Sequence, residues 1–205
     1  MSEGEAPDTE WVTAMATIEP AKIPFGKPAY TVDDLFEFPD DGNRYELFNG
    51  SLLVSPSPTP LHQRVIRRLE RILEDALPLE LEPLSTVNLR VTDKDYYIPD
   101  LVVVREESSE SVGLMFSPRD ILLAVEVGSP STRMRDEGLK ALAYARAGIP
   151  LYWRIEPDEG PTLYVYQLNG DNYDPPTAYK AGTIASLTTP FLVSFDPAEL
   201  LRGRR

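Results

Sequence analysis

The sequence predicts an α/β (α+β-like) layer arrangement of strands with helices interspersed, and three stretches carry that expectation. Residues 121–125 form an unbroken apolar run, the mark of a central strand covered on both faces. Within residues 61–77, Val65, Ile66, Leu69, Ile72, Leu73 and Ala76 recur at spacings of three and four, which makes an amphipathic helix. From Leu151 onward the chain reads as short strands parted by turn residues.

The elements follow in chain order. Residues 1–29 mix acids with Pro20, Pro24 and Pro28 and are expected to be a mostly irregular lead-in, although Trp11, Val12, Met15 and Ile18 have helical spacing. Thr31 and Asp34 resemble a capping box opening a short helix through Leu35 and Phe36 that Pro39 stops. Asn49-Gly50 between residues 45–48 and 51–54 is a hairpin signal. Thr59 is placed to cap the long helix, with Pro60 at its first position. Val87, Leu89 and Val91 alternate as a strand, residues 92–95 turn, and residues 96–98 lead through Pro99-Asp100 into the apolar run 101–104. Proline there implies a strand start, an edge or a bulge. After the central strand, Ser131 or Thr132 can cap a helix through Leu139, Leu142, Ala143 and Ala147 that ends at Gly148. Residues 151–155 and 162–168 are strands, and 169–173 starts another hairpin. Tyr164, Tyr166, Tyr173 and Tyr179 are ordinary sheet formers. A short helical turn at 197–201 closes a domain expected to span 30–201, leaving a basic tail at 202–205.

Composition narrows the chemistry. A net charge of −13 over 205 residues opposes general attraction to nucleic acid, so any such binding must come from a local basic face. Arg64, Arg67 and Arg71, with Arg68, are the candidates for phosphate contacts, although a solvated helix face explains them as simply. With no Cys and the single His62, the chain lacks a thiolate nucleophile and a multi-histidine zinc centre. A metal would be held by carboxylates, which favours magnesium or manganese. Nothing calls for an organic cofactor. No apolar stretch approaches the roughly 20 residues of a membrane span, and the acidic N-terminus lacks a signal-peptide pattern, so the expected compartment is the cytoplasm.

Against this background, Glu126 stands out as an acid at the end of an apolar strand, where desolvation costs several kcal/mol unless a partner is supplied. Asp100 is a second acid set against an apolar strand, and Glu46 lies inside the first hairpin strand. Lys140 follows Asp136 by four on one helical face, a spacing that also suits a simple ion pair worth about 0.2 to 0.5 kcal/mol. Backbone hydrogen bonds or an arginine would satisfy Asp100, and Glu46 could serve a structural hydrogen bond. His62 reads as a packed and hydrogen-bonded histidine at the helix start rather than a catalytic one. Capping explains Ser129, Ser131 and Thr132. Brought together, Asp100 and Glu126 would bind a divalent cation on neighbouring strands, with Lys140 beside it.

The strings YELFNGSLLVSPSPTPLHQRV, IPDLVVV, AVEVGSPST and RDEGLKALAYARAGIPLYW resemble the Uma-type restriction endonuclease family of the PD-(D/E)XK nuclease superfamily, over roughly residues 30–200. The resemblance implies a restriction endonuclease-like core, a mixed central sheet flanked by helices, and a magnesium-dependent (or manganese-dependent) site acting on DNA. Pro99-Asp100 matches the proline-aspartate element and Glu126 the second acid, with Val127 joining these two acids in the expected metal set. The usual lysine two residues after that acid is Gly128 here, so Lys140 would substitute for it, with Glu46 as a supporting acid. Cutting both strands of a duplex commonly uses two active sites, which leaves a homodimer open. A catalytically silent member that binds nucleic acid or a partner protein, and a hydrolase of another phosphodiester, are the alternatives.

Overall fold

The computed structural model describes residues 29–55, 57–128, 135–158 and 160–201, and for Arg135, Asp136 and Glu137 the backbone only. The expected N-terminal helix on Trp11, Val12, Met15 and Ile18, the capping residues Ser131 and Thr132, the pairing of Asp136 with Lys140 and the basic tail lie outside that description.

Asp34 accepts hydrogen bonds from the Thr31 amide at 2.8 Å and its hydroxyl at 3.0 Å, and a 3₁₀ turn runs over Asp33–Glu37. The chain then forms β1 (Arg44–Phe48) and β2 (Ser51–Ser55), paired antiparallel with Phe48 opposite Ser51. Asn49 and Gly50 make the turn at φ 49° and 75°, the positive-φ pair whose twist suits a two-residue hairpin. A Cβ at Gly50 would lie 2.8 Å from that of Ala29, so a close approach also demands glycine there.

Helix α1 (Pro60–Ala76) starts as expected, with the Thr59 side chain accepting from the His62 amide, and it buries Val65, Ile66, Leu69 and Leu73. Next come β3 (Leu81–Ser85), β4 (Leu89–Thr92), β5 (Asp95–Tyr97), β6 (Leu101–Arg105) and α2 (Glu106–Ser111). Pro99 and Asp100 immediately precede β6, the strand-start alternative. Strand β7 (Ile121–Val127) is the predicted central strand. A π-helical turn over Arg135–Lys140 continues into α3 (Ala141–Arg146), which gives way to Gly148 at φ 79°. The remainder is β8 (Leu151–Glu156), β9 (Thr162–Asn169), β10 (Asn172–Tyr173), β11 (Thr177–Lys180), β12 (Ala185–Leu187), β13 (Val193–Phe195) and a 3₁₀ turn over Pro197–Leu200.

Among the described residues the main sheet runs β10-β9-β8-β7-β6-β3, with β11 also on β9. Its β7–β8 pair is parallel and the neighbouring pairs are antiparallel, so the sheet is mixed. A parallel pair needs a crossover, and α3 lies within it. Side chains alternate across the sheet. On one face Leu101, Val103, Leu123, Val125, Trp153 and Ile155 pack with α1 and with Phe191, Val193 and Phe195. On the other, Val102, Val104, Ala124 and Tyr152 pack with Ala143 and Tyr144 of α3. Tyr166 and Tyr173 close around Tyr152, at 5.2 and 5.9 Å between ring centroids, as the sheet-packing reading of the tyrosines expects. A smaller sheet, β2-β1-β5-β4, stands beside this core. No helix among the described residues is long and apolar enough to cross a membrane.

Candidate functional site

Five charged residues of the described chain are buried: Glu46, Asp100 and Glu126 at 3% exposure, and Lys140 and Arg154 at 5%. Burying a charge costs several kcal/mol unless it is paired, so this set marks where the fold has arranged its polar groups. Four of the five are the residues the sequence singled out.

Lys140 is delivered by the turn leading into α3, which covers the face of β7 that carries Ala124 and, two residues on, Glu126. Its Nζ lies 2.8 Å from Glu126 Oε1 and 3.0 Å from Glu46 Oε1. Glu46 reaches it from β1 of the smaller sheet and also accepts the Ile98 amide at 2.8 Å. Tyr144, one turn after Lys140, donates its hydroxyl to Glu126 Oε1 at 2.7 Å. Burial, the charges of Glu126 and Glu46 and this hydrogen bond push the Tyr144 phenol well above its ordinary range, so it keeps its proton and remains a donor.

Asp100 sits at the start of β6, and its amide donates to the Val125 carbonyl at 3.1 Å. Its Oδ2 accepts the Val127 amide at 2.9 Å and lies 3.0 Å from His62 Nε2, while Oδ1 accepts from Arg44 at 2.9 Å. Burial alone would raise the carboxyl pKa. The His62 hydrogen bond and charge, the Lys140 charge and the Val127 amide outweigh it, and the net shift is downward from 3.8. Asp100 is therefore anchored to the residue next to Glu126, while Glu126 and Glu46 share one lysine.

Sequence reasoning missed Arg44, Tyr144 and Arg154; it read His62 as packed and hydrogen-bonded, and His62 Nε2 does lie 3.0 Å from Asp100 Oδ2. Tyr144 was signalled by its place four after Lys140 on the same helix. His62 was signalled by falling on the same side of α1 as Leu69. Arg44 is a lone arginine at the edge of a hairpin and had no signal. Arg154 pairs in register with Glu126 across β7–β8, bonds Glu156, and lies 4.3 Å from the Tyr164 ring centroid. Arg64, Arg67 and Arg71 are exposed on α1, whereas Arg68 donates to the Leu200 carbonyl at 3.0 Å and so helps fix the C-terminal turn.

The donor set suits a hard cation. Asp100 and Glu126 offer carboxylate oxygens and Val127 a main chain that already touches Asp100; soft donors are absent from this set. No group of three or more His, Cys, Asp and Glu among the described residues forms a metal cage. One or two carboxylates with retained water is the habit of magnesium rather than of a dedicated all-protein site.

Comparison with known proteins agrees with this architecture. The family model Uma2, described as putative restriction endonuclease, matches residues 32–198. A crystal structure of a putative nuclease belonging to DUF820 from Anabaena variabilis superposes with a TM-score of 0.64 at 17% identity, covering 78% of this chain and 89% of that one. No curated protein matches the chain.

Proposed function

Since the chain belongs to the Uma2 putative restriction endonuclease family, we propose that it is a magnesium-dependent or manganese-dependent endonuclease that hydrolyses phosphodiester bonds in DNA at the buried cluster of Asp100, Glu126, Lys140 and Glu46. The observation that carries this reading is Lys140, a buried ammonium shared by two buried carboxylates beside a third acid. Asp100, Glu126 and the Val127 main chain would hold the ion. When bound, a magnesium or manganese ion supplies Lewis acidity and lowers the pKa of a coordinated water.

The chain's own residues divide the remaining work. Lys140 places a fixed positive charge where negative charge gathers on the phosphoryl oxygens, and its protons can orient an attacking water. Glu46 fixes Lys140 from the opposite side, since its carboxylate is itself pinned by the Ile98 amide. Tyr144 turns Glu126 by holding Oε1. The Val127 amide, His62 and Arg44 set the direction of the Asp100 carboxylate.

A second reading, a catalytically silent member that binds nucleic acid or a partner protein, is favoured by the crowding at Asp100, whose two oxygens already meet Arg44, His62 and the Val127 amide. Supercoiled plasmid separates the two. The enzyme reading expects nicking or linearisation with magnesium, abolished in Glu126→Gln and Lys140→Ala and retained in Arg71→Ala. A purified, folded protein that leaves plasmid intact with magnesium and with manganese would support the silent reading.

A further inference from the structure

We propose that the groove between β1, the first half of α1 and the β3–β4 turn is a phosphate subsite, in which Arg44 and Arg67 hold a DNA-backbone phosphodiester beside the one at Asp100. The groove, of about 190 Å³, is lined by Arg44, Gln63, Arg67, Glu70 and Thr86 among others, so two arginines from separate elements border it. Guanidinium forks match phosphate oxygens in geometry as well as charge. In a chain of net charge −13, backbone contacts must be concentrated where such forks meet.

Arg44 ties the groove to the acid cluster. Its side chain is 21% exposed, with one terminal nitrogen 2.9 Å from Asp100 Oδ1 and the other 3.5 Å from Thr86 Oγ1. Thr86 adopts φ 58°, which a β-branched residue rarely does, and its amide donates to the Asp100 carbonyl at 3.1 Å. Strained positions of this kind gather at ligand sites, and this one sets a hydroxyl against Arg44 at the groove wall. Gln63 adds a neutral amide, and the Glu70 carboxylate, on the same lining, opposes the two arginine charges in part. Gln63, Ile66, Arg67 and Glu70 follow one helical face, while Arg64 and Arg71 lie further round α1 and do not line it.

The subsite rests on the nuclease reading for its substrate but is tested apart from cleavage. Binding of a fluorescent DNA duplex is followed by anisotropy in EDTA across a salt series, for wild type and for Arg64→Ala, Arg67→Ala and Arg71→Ala. All three positions are exposed, so the variants keep the fold. Arg67→Ala should weaken binding on the order of tenfold and lower the salt slope by about one, while the other two change little. Manganese affinity by calorimetry should be the same in Arg67→Ala as in wild type. Equal losses at all three positions would mean an undifferentiated basic helix and overturn the subsite, as would wild-type protein that binds no duplex in EDTA. Wild type that binds through Arg67 yet never cleaves plasmid would refute the nuclease reading and leave the subsite standing. Cleavage indifferent to Arg67, with duplex binding equally indifferent, would do the reverse.

Discussion

Replacing Lys140 by Met removes the ammonium that lies 3.0 Å from Glu46 and 2.8 Å from Glu126 while keeping most of its volume. Both carboxylates are 3% exposed, so water cannot take over the role of the lysine without opening the core. Breaking a buried ion pair by deleting one partner costs about 3 to 5 kcal/mol, because the remaining charge is left uncompensated. Here two carboxylates, one from each sheet, lose the same ion-pair partner at once. Against a total stability of about 5 to 15 kcal/mol, that loss moves a urea midpoint by a large fraction of its value. Glu46→Gln in the same background removes one of the two charges and should return part of the loss, with a coupling energy above about 1 kcal/mol in the double-mutant cycle. A loss below about 1 kcal/mol for Lys140→Met, or strict additivity with Glu46→Gln, would refute the idea that one lysine neutralises two buried acids.

Tyr144→Phe deletes the hydroxyl at 2.7 Å from Glu126 and should cost about 1.5 to 3 kcal/mol by urea denaturation, the range for a hydrogen bond to a charged group. Gly50→Ala forces a Cβ into positive φ at 75° and to 2.8 Å from Ala29, and should lower stability by at least about 1 kcal/mol; an unchanged melting temperature would count against the hairpin geometry. Asp100 has a native pKa below 3.8, so its ionised form contributes stability that is complete above the unfolded value and lost as pH falls through the native one. The stability gap between wild type and Asp100→Asn should therefore hold at neutral pH and narrow only below the ordinary carboxylate range; a gap that is flat down to pH 3 would contradict the shift.

Local signals reached the parts of the fold that repeat or turn in a fixed way. The apolar run of β7, the three-and-four spacing of α1 and the Asn49-Gly50 hairpin each rest on side chains a few residues apart, and the structure has all three. Strand β3 was not legible because Glu82 and Pro83 interrupt any alternation; Pro83 is accommodated because β3 is the edge of the main sheet. Helix α2, with the sequence EESSES, buries no residue and so carries no apolar period. At the site, Asp100 and Glu126 were readable as acids set against apolar strands, and Lys140 by its place on the helix after Glu126 and by the family resemblance. Their pairings were not, even where the partner, such as Glu46, had been singled out. Arg44 reaches Asp100 across 56 positions and Glu46 reaches Lys140 from another sheet, pairings that depend on how sheets pack rather than on any local period.

In the proposed function, Asp100 and Glu126 hold one divalent cation between them. Titrating manganese into the folded protein in a calorimeter, with Asp100→Asn and Glu126→Gln in parallel, tests it most directly. Wild type should show one saturable site that is lost in both variants while their far-ultraviolet spectra stay native. Absence of binding heat in wild type, or a site that survives either substitution, would contradict it.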